Sequence, residues 1–294
     1  MKPAWLKIRP PTVPQSYQSV RGTLNEKRLV TVCEEAKCPN INECWSTGTA
    51  TFMVMGDTCT RGCRFCAVKT WKTGRPLDPM EPENVAQAVV EMKLDYVVIT
   101  SVDRDDLPDQ GAGHFAACIK AVKDKAPFCL IEVLIPDFRG DESCLKKMVD
   151  ARPDVISHNI ETTETLTPKV RDPRANYRQS LRVLENVKQM DSRIYTKSGI
   201  MVGLGETQKD VEQAMDDLRE KGVQVLTIGQ YLRPSQKQLE IREYVTPEQF
   251  EAYKKVALDK GFAFVASGPF VRSSYRAGEL FLKHAIQPSG GKTK

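Results

Sequence analysis

The sequence predicts an α/β protein: a partial (βα)6 TIM-like barrel flanked by an N-terminal extension and a C-terminal segment. Three observations lead there. From about residue 51, short β-rich apolar runs alternate with longer helical stretches. The runs are apolar along nearly their whole length, as parallel strands buried on both faces are. Six such units fall short of the eight that close a barrel of this type. An open barrel is therefore expected, with a gap that could admit a large substrate.

The elements follow in chain order. Residues 1–50 read as an irregular extension, proline-rich at first and then carrying three cysteines. Strands are expected at 51–55, 96–101, 129–134, 154–158, 195–202 and 225–229, with helices near 83–93, 113–125, 141–151, 177–190 and 207–221. In the last helix Val211, Met215 and Leu218 share one face. Thr207 with Asp210 suits its start, and Gly222 suits its stop. A helix at 247–260 and a strand at 262–267 precede a C-terminal segment, whose Gly/Ser/Lys-rich tail, 288–294, is expected to be disordered. The division is thus 1–50 for the extension, 51–267 for the barrel and 268–294 for the C-terminal segment. No internal repeat is visible.

Composition narrows the function. With 294 residues and 40% hydrophobic content the chain can bury a sizeable core. No apolar run approaches the roughly 18 residues that span a bilayer. A formal net charge of +5 is too mild to point to nucleic acid. The first residues show neither a signal core nor a transit pattern, so a cytoplasmic protein is expected. Of nine cysteines, six crowd between Cys33 and Cys66. In a reducing compartment such clusters bind metal or do redox chemistry rather than pair as disulfides.

Cys59, Cys63 and Cys66 form C-x3-C-x2-C directly after the first barrel strand, at the edge where barrel enzymes place their chemistry. Thiolates suit iron–sulfur clusters or zinc. A closed structural zinc site uses four ligands, whereas three thiolates on a four-iron cube leave one iron open to a small molecule. This loop resembles the signature of the radical S-adenosylmethionine family. The resemblance implies that S-adenosyl-L-methionine chelates the open iron and is cleaved to a deoxyadenosyl radical. Gly62 is expected to let the loop fold tightly, and Phe65 to shield the cube.

Cys33, Cys38 and Cys44 make a second trio, C-x4-C-x5-C, whose second gap differs from the plant-type ferredoxin pattern. Alone, it fits zinc or a structural site as well. The two trios together resemble the lipoyl synthase family. So do Lys2-Pro-Ala-Trp-Leu-Lys, Thr100-Ser-Val-Asp-Arg-Asp-Asp-Leu, His158-Asn-Ile-Glu-Thr, Gly203-Leu-Gly-Glu and Arg272-Ser-Ser-Tyr, from the first residues to about Glu279. That resemblance implies two [4Fe–4S] clusters, the auxiliary one held by Cys33, Cys38, Cys44 and Ser274 with Arg272 nearby. It implies sulfur insertion at C6 and C8 of a protein-bound octanoyl-lysine, the auxiliary cluster being consumed. The implied partners are octanoylated lipoyl carrier domains (glycine cleavage H protein, 2-oxoacid dehydrogenase E2), an electron donor such as flavodoxin or ferredoxin, and iron–sulfur assembly factors. No nucleic acid or membrane is expected. A methylthiotransferase, a biotin-synthase-like enzyme and a non-catalytic zinc or iron–sulfur module are the alternatives.

Weaker signals remain. Gly203, Gly205 and Glu206 follow a strand and open a helix. The third glycine of a dinucleotide loop is missing, and Glu206 would oppose a pyrophosphate. The turn is read instead as approaching the S-adenosylmethionine nucleoside, with a plain tight turn as the alternative. Asp103, Asn159 and Glu161 stand near strand ends, where they could take the cofactor's ammonium and ribose; Asp105 and Asp106 accompany Asp103. Helix caps or surface charges are the plainer reading of each. His114, His158 and His284 lack metal or triad spacing. Cys118, Cys129 and Cys144 read as core residues, and Arg171, Arg174 and Arg178 as a solvated face.

Overall fold

A computed structural model of the chain describes residues 2–7 and 13–275. The N-terminal extension is not irregular throughout. Pro14 begins rather than breaks a helix, α1 (Pro14–Glu26), because its missing N–H falls in the unpaired first turn. Strand β1 (Val30–Thr31) and two short helices follow, α2 (Val32–Glu35) and α3 (Ile41–Ser46), with the Thr31 hydroxyl capping α2 by accepting from Glu34 N–H. The barrel then runs through β2 (Thr51–Val54), β3 (Thr58–Cys59), β4 (Lys69–Thr70), α4 (Glu81–Glu91), β5 (Tyr96–Ser101), α5 (Ala112–Lys125), β6 (Leu130–Leu134), α6 (Glu142–Asp150), β7 (Val155–Ser157), α7 (Thr167–Val170), α8 (Tyr177–Met190), β8 (Tyr195–Val202), α9 (Gln208–Glu220), β9 (Val225–Gln230), α10 (Pro247–Asp259) and β10 (Phe264–Gly268).

Caps decide several of these boundaries. Asp141 starts α6, Asn176 starts α8, and Thr246 with Pro247 starts α10. Thr207 and Asp210 make the reciprocal capping box expected for α9, and Gly222 follows it at φ +74°. Val211, Met215 and Leu218 are buried from that helix, as their spacing requires.

The main sheet has the linear order β1-β2-β5-β6-β7-β8-β9-β10, antiparallel only between β1 and β2. It is open, as expected, but it holds seven parallel strands rather than six. β10 lies beside β9 in parallel, Phe264 opposite Val225, so a seventh strand follows the six expected β–α units, of which β9 with α10 is the last. Three two-residue strands, β1, β3 and β4, have no sequence pattern long enough to show. Cys118, Cys129 and Cys144 are buried as expected. His284 and the tail 288–294 lie outside the described residues.

One end of the barrel interior is apolar around Tyr96, Val98, Val155 and Val225, yet it contains an ion pair. Lys197 Nζ lies 2.8 and 2.9 Å from the Glu132 carboxylate oxygens, Tyr96 Oη donates to the same carboxylate, and both charged side chains are 1% exposed. Further up, His158 is buried with Nδ1 2.8 Å from Ile135 O and Nε2 2.9 Å from Ser180 Oγ. His114 Nε2 and Met55 N–H meet one oxygen of Glu81, which braces the end of β2 against α4 and α5.

Two stability measurements follow. Glu132→Gln strands the Lys197 ammonium and should cost about 3–5 kcal/mol in urea unfolding, whereas the paired change Glu132→Leu with Lys197→Met should cost far less. Equal losses in both would show that the pair is not coupled. Burial, aided by the nearby Arg171 charge, pushes His158 down to about 4. Its protonation therefore favours the unfolded chain: the cost is absent above the ordinary value near 6.5 and grows as pH falls toward 4, to about 3 kcal/mol. His158→Gln should flatten the stability profile over that window, and an unchanged slope would contradict the burial argument.

Candidate active site

The C-terminal ends of β5 to β9 surround a cavity of about 610 Å3. Cys59, Cys63 and Cys66 form part of its wall, and their loop is closed by local chemistry. Parallel pairing of β3 with β4 clasps its two ends, and Trp71 N–H donates to Cys59 O. Each sulfur then receives one backbone N–H: Arg61 N to Cys59 at 3.4 Å, Asp172 N to Cys63 at 3.3 Å, and Val68 N to Cys66 at 3.4 Å. Such hydrogen bonds stabilise cluster-bound thiolates. Phe65 packs with Val170, Leu204 and Tyr231. Gly62 does not carry the expected role: a Cβ there would meet nothing nearer than 3.9 Å. Its N–H instead donates to Asp172 Oδ2 at 2.8 Å.

The residue that fixes the loop is Arg61, which the sequence reading passed over. Its guanidinium is buried against Asp105 at 2.9 Å, Asp137 at 2.7 Å and Asp103 at 3.3 Å. Burial would raise Asp137, but the hydrogen bond and charge of Arg61 outweigh it and hold the carboxyl at about 2. Asp103 shows the reverse balance: burial wins over Arg61 and pushes it up to about 6. Its side chain is still 25% exposed, toward the cavity, and Cys59 Sγ lies 3.7 Å from Oδ2.

The three neighbouring aspartates part company. Asp103 lines the cavity, Asp105 binds Arg61, and Asp106 takes Arg104 and Gly74 N–H. The arginines 171–178 are not one solvated face. Arg171 is buried and lines the cavity; Arg174, though exposed, clasps Asp172 and donates to Thr60 O at 2.7 Å; Arg178 is exposed and paired with Glu164. Asn159 and Glu161 also line the cavity. Asn159 Nδ2 donates to Glu161 Oε1 at 3.3 Å, while its buried Oδ1 has no protein partner. Glu161 sits at φ +66°, and burial raises its carboxyl.

Gly203, Gly205 and Glu206 are not in that wall. Glu206 turns back to accept from the N–H groups of Gly203 and Leu204. Gly203, at φ +96°, lies so close to the Gln230 side chain and Glu243 O that a Cβ would collide with both. The turn therefore presses on Gln230, which does line the cavity.

The second cysteine trio adjoins the same space. Cys33 sits on α2 and Cys44 on α3, with Cys38 between them. The chain from β10 is tied over them: Asn40 Nδ2 donates to Phe270 O at 2.7 Å, and Tyr275 Oη to Glu43 at 3.2 Å. Gly229 at the end of β9 allows this, because Val271 O occupies the place of a Cβ. A small enclosure results, lined by Cys33, Cys38, Cys44, Arg272 and Ser274 among others. Cys38, Arg272 and Ser274 line the main cavity too.

None of the six clustered cysteines is in a disulfide. Burial pushes the Cys33 and Cys66 thiols up to about 11 and Cys63 to about 12, and raises Cys59 further. They release protons when metal binds. Two soft donor sets with N–H bonds to sulfur, an unpartnered amide oxygen and carboxylates in one wall fit an iron–sulfur group with a polar organic cofactor.

Known proteins share this sequence and fold. The Radical SAM superfamily matches residues 53–218. The chain is 57% identical to a lipoyl synthase of Myxococcus xanthus over 97% of this chain and 95% of that one. It is 54% identical to a mitochondrial lipoyl synthase of Branchiostoma floridae, covering 97% and 77%. In fold it resembles SuiB of Streptococcus suis bound to S-adenosylmethionine, with TM-score 0.57, 9% identity and coverage of 78% and 55%. The hydrogenase maturase HydG of Carboxydothermus hydrogenoformans gives 0.55, 11%, 93% and 78%. These identities displace the methylthiotransferase, biotin-synthase-like and zinc-module alternatives: the chain belongs to the lipoyl synthase family of the Radical SAM superfamily, enzymes that insert sulfur.

Proposed function

We propose that the chain inserts sulfur at C6 and C8 of an octanoyl group carried on a lysine of a lipoyl carrier domain, such as the glycine cleavage H protein or a 2-oxoacid dehydrogenase E2. The carrying observation is that one cysteine trio lines the main cavity and the other lines an enclosure beside it, with Cys38, Arg272 and Ser274 bordering both. In this reading Cys59, Cys63 and Cys66 hold the [4Fe–4S] cluster that works with S-adenosylmethionine. Cys33, Cys38, Cys44 and Ser274 hold a second. Bound there, these groups supply hydrogen-atom abstraction and the sulfur that is inserted.

The chain's own residues bind, orient and exclude water. Asp103, Asn159 and Glu161 offer oxygens to the cofactor's ammonium and hydroxyl groups. Gly203, Gly205 and Glu206 act at one remove by setting Gln230. Met53, Val102, Leu134, Ile135 and Met201 give the cavity apolar walls suited to an acyl chain. Its size falls within the range, about 300–1,000 Å3, of small-molecule sites. Both nitrogens of His158, the only histidine among the described residues of the wall, are committed to the scaffold. Radical chemistry asks for no acid–base pair.

The three-part division 1–50, 51–267 and 268–294 then has a chemical meaning: the barrel activates, while the two flanks together hold the sulfur source. No described helix is long and apolar enough to cross a membrane. A reducing compartment suits nine cysteines with no disulfide among them, and we read it as the cytoplasm. An electron donor and iron–sulfur assembly factors complete the partners.

Reconstituted protein should carry about eight irons, and replacing Cys33, Cys38 and Cys44 with alanine should leave about four. That variant should still form deoxyadenosine while making no thiolated product; lipoyl product from it would place the sulfur source elsewhere. For Ser274, an alkoxide is a harder and weaker partner for iron than thiolate. Ser274→Cys should therefore assemble its cluster yet cut product in a single turnover at least about tenfold, with deoxyadenosine persisting. Full product yield, at verified iron content, would remove Ser274 from the ligand set.

A further inference from the structure

Sulfur insertion leaves a second cavity beside the cluster loop without a role. It measures about 440 Å3 and borders Cys63 and Cys66 on the side of Arg64, Lys237 and Arg242. These three cations are exposed, and none has an ion-pair partner among the described residues. Arg64 Nη1 donates to the backbone carbonyl of Lys169 at 3.1 Å. The single acid in the lining, Glu240, lies 3.9 Å from Arg233. The cavity is held against the loop from outside: Gln238 Nε2 donates to Cys66 O at 3.0 Å and Leu239 N–H to Arg64 O at 3.1 Å.

Charge and position suggest an occupant. Reductive cleavage needs one electron from outside the chain, and it must arrive while the main cavity is filled by cofactor and acyl chain. Electron transfer weakens steeply with distance, so entry belongs where the cluster cysteines come nearest to solvent on another side. The outer cavity is that place, and its rim is cationic. Redox encounters use small interfaces, below about 1,200 Å2, and are steered by opposite charge.

We infer that this basic recess is the docking site of an acidic one-electron carrier protein of the flavodoxin or plant-type ferredoxin class. The inference rests on the function proposed above. In the step, the carrier is oxidised by one electron and the cluster beside Cys63 and Cys66 is reduced by one, with no bond made or broken.

The test uses reconstituted holoenzyme, recombinant flavodoxin and biolayer interferometry. Binding by the wild type should weaken at least about tenfold between about 50 and about 300 mM salt, as screening of charge requires. Lys237→Glu with Arg242→Glu should weaken binding at least about tenfold and slow flavodoxin-driven deoxyadenosine formation in proportion, while the dithionite-driven rate stays within about twofold. Lys146→Glu, on the distant helix α6, should change neither. Salt-independent binding, wild-type affinity in the double variant, or equal losses with dithionite and flavodoxin would each overturn the site. A wild-type protein inert with dithionite would instead sink the functional reading, and the binding measurements would still judge the recess.

Discussion

A buried guanidinium costs several kcal/mol unless charge and hydrogen bonds surround it, and around Arg61 they do. Asp103 and Asp105 arrive from the end of β5 and Asp137 from the end of β6, so one side chain of the cluster loop is anchored to two neighbouring strands. Asp105 is shared in turn with Arg139 and Arg174, and Arg174 grips both Asp172 and Thr60 O. Moving the loop would strand several charges at once. The loop is thereby set in place before any cofactor arrives, as a reaction centre of defined geometry needs.

The upstream trio depends on a different constraint, the closeness of two backbones. Where the last strand leaves the sheet, Val271 O lies where any side chain at position 229 would stand. That approach lets Asn40 and Tyr275 fasten the chain's two flanks together. The result is a partition of Cys38, Arg272 and Ser274 between a tight enclosure and the large cavity.

Much of this was legible in the sequence, for reasons that differ by element. Long apolar strands such as Tyr96–Ser101 and Tyr195–Val202, and helix Tyr177–Met190, declare themselves through pattern and need no tertiary partner to be seen. The cysteine spacings are local chemistry and were visible for the same reason. Arg61 was not, because a lone arginine in a loop looks solvated until distant aspartates close around it. Arg171 and Arg174 misled in the same way: three arginines in eight residues read as a surface, yet one is buried and another clasps the loop. The seventh parallel strand was visible as a strand but not as a member of the sheet, since pairing with β9 is a long-range fact. Gly203 and Glu206 were seen as a turn, while their pressure on Gln230 required coordinates.

The seam between the two flanks has a consequence for how the molecule comes into being. Cys59, Cys63 and Cys66 leave the ribosome together and meet strands made soon after them. Cys33, Cys38 and Cys44 are made before the barrel, but the segment that closes over them, from Phe270 to Tyr275, appears only after it. At ordinary elongation speeds that interval is on the order of tens of seconds. Through it, three thiols stand without the lid that finishes their enclosure. The enclosure of the upstream trio is thus completed after the barrel, and a nascent chain truncated before residue 270 would hold its first loop without the strap over its second trio.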